Sequence, residues 1–359
     1  YDKTISIQGL NHSYALYQKA TSQGLIQDYN GKMITLQKLT DDYPDSRYQV
    51  LSLLNLAQTY NDQGMNQESI NTYLKFIDKY PNNNFISTAH VEVGNILLKE
   101  NKINESERYL LKVLDDYPDA EIENELAIEL MKEVFYQRED LPGYYDWLNK
   151  RGIVISEQER DSTFWRPVQI ARENGDCAEQ LNKAAIYLDN VPNAIREISA
   201  HYYMATCFYA EGKNAEALYH YDFITTKPNN NYYTDALRYA GELTFESEEY
   251  KTALGYFSTL ENVGVSDEDI SISKKGQMYC FHHLENHPII VEYSKKVLEL
   301  TDVPPKVEED AYLFLGQSYK ELKQYDSARL SFENVLQLTN SIAAAEAKYH
   351  ICEIAFLMI

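Results

Sequence analysis

Across residues 43–118 the apolar positions recur at helical spacing in two stretches per unit, divided by a short polar break. Each unit closes on a Tyr-Pro pair, at Tyr43-Pro44, Tyr80-Pro81 and Tyr117-Pro118, so the pattern repeats every 37 residues. A fixed period of this size predicts stacked pairs of helices. Each pair buries its apolar face on its neighbours rather than around one central core.

The period can be carried along the whole chain from one position on the first helix of each pair. That series runs Ala20, Ala57, Gly94, Met131, Val168, Ala205, Gly241, Met278 and Gly316, in steps of 36 to 38. Twelve residues on stand Ser69, Ser106, Ala217, Ala253 and Ala328, and sixteen on stand Leu36, Tyr73, Leu110, Trp147, Tyr221, Phe257 and Phe332. A small residue on the first helix lets the second approach, and the bulky residue fills the space between pairs. The frames at Met131, Val168 and Met278 rest on register alone. Trp147 shares the register of Tyr73 and Phe332, so its burial is expected, with a cost of about 3–5 kcal/mol on truncation to alanine. The first pair is expected over 11–22 and 26–40, broken at Gly24, after a lead-in over 1–8. Pro167 falls inside a first helix and should kink it, or make it start near Trp165.

The motif Tyr312, Leu315, Gly316, Tyr319, Ala328 and Phe332 resembles the tetratricopeptide repeat (TPR), although Asn340 stands where that family has proline. The resemblance implies an all-α, right-handed superhelical solenoid of about nine helix-turn-helix units. The expected organisation is one continuous array over 1–359, with a local bend at 151–160, where Ile153-Val154-Ile155 interrupts the helical pattern but not the register. Residues 343–359 read as the first helix of a tenth unit, which suggests a piece of a longer array. The wording of residues 144–359 is similar to large exported TPR proteins of the Bacteroidetes. That resemblance implies a periplasmic or outer-membrane-associated scaffold.

Charge narrows the partners. Lys and Arg number 33 against 55 Asp and Glu, a net charge of −22. There is no basic surplus to displace counterions from nucleic acid or to hold an anionic lipid surface. A cationic partner is compatible, and so is a merely solvated acidic face. The acids of residues 267–269 and 308–310 stand in first helical turns, where the dipole favours them. Cys177, Cys207, Cys280 and Cys352 form no CxxC pair and read as buried free thiols. No run is long and apolar enough to span a membrane.

Catalytic chemistry finds no foothold. The sequence has no GxSxG, HExxH, Walker A or GxGxxG pattern, and its carboxylates are scattered. His282, His283 and His287 form a cluster, but the register puts them across a turn beside Pro288, without a neighbouring cysteine or aspartate at ligand spacing. The expectation is therefore no enzyme, no cofactor and no metal. The function expected is binding of another protein or peptide, one reading being a basic one, in the concave groove of the array, and the resemblance implies a role in cell-envelope assembly or transport. Alternatives are a binder of envelope polymer through its many tyrosines, or a module attached to a catalytic domain elsewhere. The resemblance implies that the groove is lined by first-helix residues three before and one or four after the small position. Tyr202, Tyr209, Arg238, Lys275 and Tyr279 stand out there as an aromatic and basic stripe, the residue types enriched at interface hot spots. No complete carboxylate-clamp pattern is present.

Overall fold

A computed structural model describes residues 12–358. The lead-in expected over 1–8 lies outside the described residues. The chain divides into two compact units, Tyr1–Val154 and Ile155–Ile359, and each is described by itself. Helices and turns account for the described residues, with no strand among them.

In the first unit, α1 (His12–Leu25) pairs with α2 (Tyr29–Asp42), α3 (Gln49–Asp62) with α4 (Asn66–Lys79), α5 (Ile86–Lys99) with α6 (Ile103–Asp116), and α7 (Glu121–Gln137) with α8 (Leu141–Lys150). In the second unit, α9 (Glu157–Glu173) pairs with α10 (Cys177–Asn190), and α11 (Glu197–Ala210) with α12 (Asn214–Thr225). Next come α13 (Tyr233–Glu246) with α14 (Tyr250–Val263), α15 (Asp267–His283) with α16 (His287–Leu298), and α17 (Pro305–Glu321) with α18 (Tyr325–Leu338). The first helix α19 (Ile342–Leu357) follows. Within each unit every pair packs on the next, and successive first helices also touch, α13 on α15, α15 on α17 and α17 on α19. Pro167 lies inside α9 without ending it, so the helix starts eight residues before Trp165 rather than at it. The first break comes at Gln27, three residues beyond Gly24.

All nine positions of the small-residue series are buried, including Met131, Val168 and Met278. The glycines show why the position matters. A Cβ on Gly94 would stand 2.8 Å from the Leu110 side chain, on Gly241 2.8 Å from Phe257, and on Gly316 2.6 Å from Phe332. Ser69 and Ser106, twelve residues on, donate their hydroxyls to the Ala57 and Gly94 carbonyls at 2.8 and 2.7 Å. Those bonds tie the two helices of a pair where they come closest.

Where the first position is large, its partner sixteen residues on is small: Val168 with Ala184, Met278 with Ser294. Met131 breaks that compensation, since Trp147 stands opposite it. The structure resolves the conflict by leaving Trp147 half-buried, stacked on Tyr144 at 5.9 Å, with the Arg151 guanidinium 5.1 Å from its ring. Tyr144 and Leu148 take the interior instead, each 1% exposed. The burial expected of Trp147 is thus corrected: the indole packs on the margin of the cluster that holds Met131, because Tyr144 and Leu148 of the same helix fill the interior.

The cysteine expectation is corrected as well. Cys177, at the start of α10, is disulfide-bonded to Cys207 in α11, with Cα atoms 5.4 Å apart. Cys280 is a buried thiol, pushed up to about 12 by burial, and Cys352 is an exposed one. The bridge closes a loop of 30 residues. Reducing it, or replacing both residues by serine, should lower stability by roughly 2–4 kcal/mol. A urea midpoint indifferent to reductant would show that the bridge does not form in solution.

Candidate functional site

The first helices of the second unit bring the predicted groove positions together. Successive first helices are laced by bonds from a donor on one to an acid on the next. The Tyr202 hydroxyl donates to Asp235 at 3.1 Å, Arg238 to Glu268 at 3.4 Å, and Tyr279 to Asp310 at 2.9 Å. Farther on, Gln317 donates to Glu346 at 2.7 Å and Lys320 to Glu353 at 2.9 Å. Glu268 and Asp310 thus do more than complement a helix dipole: they accept across the stack.

This ladder divides the predicted stripe. The Tyr202 ring stacks on Tyr232 at 4.1 Å, and burial together with the Asp235 carboxylate pushes its hydroxyl up to about 12. Arg238 is also paired with Asp235 at 2.8 Å and lies over the Tyr239 ring at 4.8 Å. Burial raises the Tyr279 hydroxyl far above its ordinary range, and its bond to Asp310 adds to that. The polar ends of these three side chains are therefore already occupied within the fold. Tyr209 is different: it is 39% exposed and leans on Tyr239 at 5.1 Å. Lys275 is half-buried, and no hydrogen bond or ion pair engages its ammonium group among the described residues.

Lys275 and Tyr279 share a cavity of about 280 Å³ with Glu242, Phe245, Glu246 and Phe257. The charged and aromatic members on α13 and α15, apart from Glu246, stand at the first-helix positions named from the sequence. Glu242 and Phe245 follow Gly241 by one and four residues, and Lys275 and Tyr279 flank Met278. Glu242 is half-buried, with no hydrogen bond or ion pair among the described residues. Burial raises its carboxyl above the usual range; Arg238 draws it down and Glu246 pushes it up. The sequence places Glu242 and Phe245 among the groove positions but leaves them out of the stripe, because a single acid and a single ring in a tyrosine-rich acidic chain carry no signal of their own. Their shared register with Lys275 and Tyr279 was the signal available.

Two of the three clustered histidines stack on aromatic rings. His282 stacks on Phe314 at 3.6 Å and His283 on Tyr250 at 4.2 Å, both from the last turn of α15, while His287 opens α16 across the turn. No group of three or more metal-ligating side chains occurs among the described residues.

Profiles of the tetratricopeptide repeat match residues 14–46, 51–83 and 309–341. Among solved structures, the chain is similar to the C-terminal part of a TPR repeat-containing protein from Cytophaga hutchinsonii, at 12% identity and a TM-score of 0.41, over 82% of this chain and 98% of that one. A tetratricopeptide repeat protein from Parabacteroides merdae is 15% identical with a TM-score of 0.35, over 75% of this chain and 98% of that one. The TPR2AB domain of yeast Sti1, in a complex with pHSP90, is 12% identical with a TM-score of 0.34, over 81% and 98%. No curated protein matches the chain.

Proposed function

We propose that this chain, whose helix pairs include tetratricopeptide repeats, is a non-catalytic scaffold that binds another protein on the first-helix face of its second unit. The observation that carries the reading is the cavity between α13 and α15. It combines aromatic walls with a carboxylate and an ammonium group that the fold leaves unpaired. A buried packing seam leaves few such groups, because desolvating a charge without a partner is costly. Beside it, Tyr209 offers an exposed ring on the adjacent first helix.

We further propose a cell-envelope location, periplasmic or outer-membrane-associated. Its support is the Cys177–Cys207 disulfide, since such bonds persist in oxidising compartments and are rare in reducing ones.

Two double variants test the binding reading, each assayed for capture of envelope proteins and for melting temperature. Tyr209→Ala with Phe245→Ala removes side chains the ladder does not use, and should weaken capture by about 2 kcal/mol or more while the array stays folded. Tyr202→Ala with Arg238→Ala removes two rungs of the ladder, and should act first on melting. Undiminished capture by the folded Tyr209/Phe245 variant would overturn the assignment of this face.

A further inference from the structure

We infer that the cavity between α13 and α15 receives a basic side chain, a lysine or arginine from a basic segment of a partner protein. The inference rests on the reading of this face as a partner surface and adds the chemistry of the occupant. Glu242 and Glu246 stand one helical turn apart on α13, both lining the cavity. Residues four apart on a helix share a face, so the two carboxylates can converge on one cation. Glu242 is held half out of water without a counterion of its own, because the nearby Arg238 is committed to Asp235 and Glu268. A cation supplied from outside would relieve that desolvated charge.

The rest of the lining suits the stem behind such a cation. Phe245, Phe257 and Ile272 provide an apolar surface, and long basic side chains lay their methylenes along such surfaces while keeping the charged head polar. Phe245 also offers a ring face to a cation. Phe257 is held rigidly: it packs against Gly241 and Gly276, where an added Cβ would come within 2.8 and 2.6 Å of its ring. The charge of the site, two carboxylates to one ammonium, has the sign of the whole chain at −22. Lys275 is the dissenting group. It lines the same cavity from α15 and opposes a cation there, so its removal has a sign that identifies the ligand.

The test titrates the full chain with two 15-residue probe peptides, one alternating serine and lysine, the other serine and glutamate. The basic probe should bind, and Glu242→Gln with Glu246→Gln should weaken it about tenfold. The control Asp45→Asn with Asp119→Asn removes the same charge from exposed positions of the first unit and should change binding less than about threefold. Lys275→Ala should tighten the basic probe by about two- to threefold. Preference for the acidic probe, lost in Lys275→Ala, would overturn the basic occupant while keeping the face as a partner site. Equal losses in the pocket and control variants, with neither probe responding to Lys275→Ala, would overturn both.

Discussion

Truncating Phe332 to alanine is expected to destabilise the second unit by about 3–5 kcal/mol, read as a fall in the urea midpoint. Phe332 is fully buried. Its ring lies over Gly316, stacks on His350 at 5.1 Å, and packs among Leu313, Ala328, Val335 and Ala347. Gly316 has no side chain to move into the space left behind, so the cavity persists and the cost falls at the upper end for an aromatic. A second variant checks the mechanism. Phe332→Ala combined with Gly316→Val reproduces the size order that Val168 and Ala184 already use in α9 and α10, and should recover part of the loss. A single variant within about 1 kcal/mol of the parent would show that the site collapses, and that size compensation across the pair does not govern this core.

Acidification from pH 7 toward pH 4 is expected to remove stability through buried imidazoles. His90 and His201 are each held down to about 4, chiefly by burial, with Lys112 adding to the effect at His90 and His220 and Lys227 at His201. His220, whose Nδ1 lies 2.9 Å from that of His201, is lowered by burial as well. A folded value below the unfolded value of about 6.5 means that the unfolded chain binds the proton more readily. The contribution is therefore fully present above about pH 6.5 and is lost as pH falls toward 4. For His90, a gap of this size corresponds to about 3 kcal/mol. Glu92 and Glu242 oppose the trend, since burial raises their carboxyls and protonation then favours the folded state. Replacing His90 isolates the effect. His90 is 2% exposed between the rings of Tyr109 and Tyr117, with Nδ1 buried and unbonded, so His90→Phe keeps an apolar ring in place. The variant should lose less stability than the parent between pH 7 and pH 4.5. Parallel stability–pH curves would refute a role for His90.

The repeat itself was legible in the sequence because it is a matter of local spacing. Residues 37 apart meet equivalent neighbours, so one series from Ala20 to Gly316 located nine buried positions, even where methionine or valine had replaced the small residue. Register also put Phe245, Lys275 and Tyr279 at equivalent positions of successive first helices, and there they line one cavity. What register could not supply was the outcome of competition for space and for partners. Trp147 has the right spacing but is only half-buried, because Tyr144 and Leu148 of the same helix take the interior. Tyr202, Arg238 and Tyr279 carry the residue types of a binding stripe, yet acids on the next first helix, some thirty residues away, already occupy them.

The turns draw the same line. Nine positions, from Gln27 and Gly64 to Glu285 and Lys323, adopt positive φ two residues beyond the end of a first helix, in steps of 36 to 38. Glycine marks Gly64, Gly175 and Gly212, while asparagine, glutamine, glutamate and lysine hold the other six. Asn101 tolerates this conformation, but the other five carry a Cβ that disfavours it, and no local preference announces it. The closing of one helix onto the next imposes it, as it also brings Cys177 against Cys207. The sequence by itself determined the period, the helices and the face each turns inward, since these follow from the order of apolar residues along a regular backbone. Which side chains ended up buried, bonded or free was decided only by the tertiary structure, because that depends on the volume and charge of residues a full repeat away.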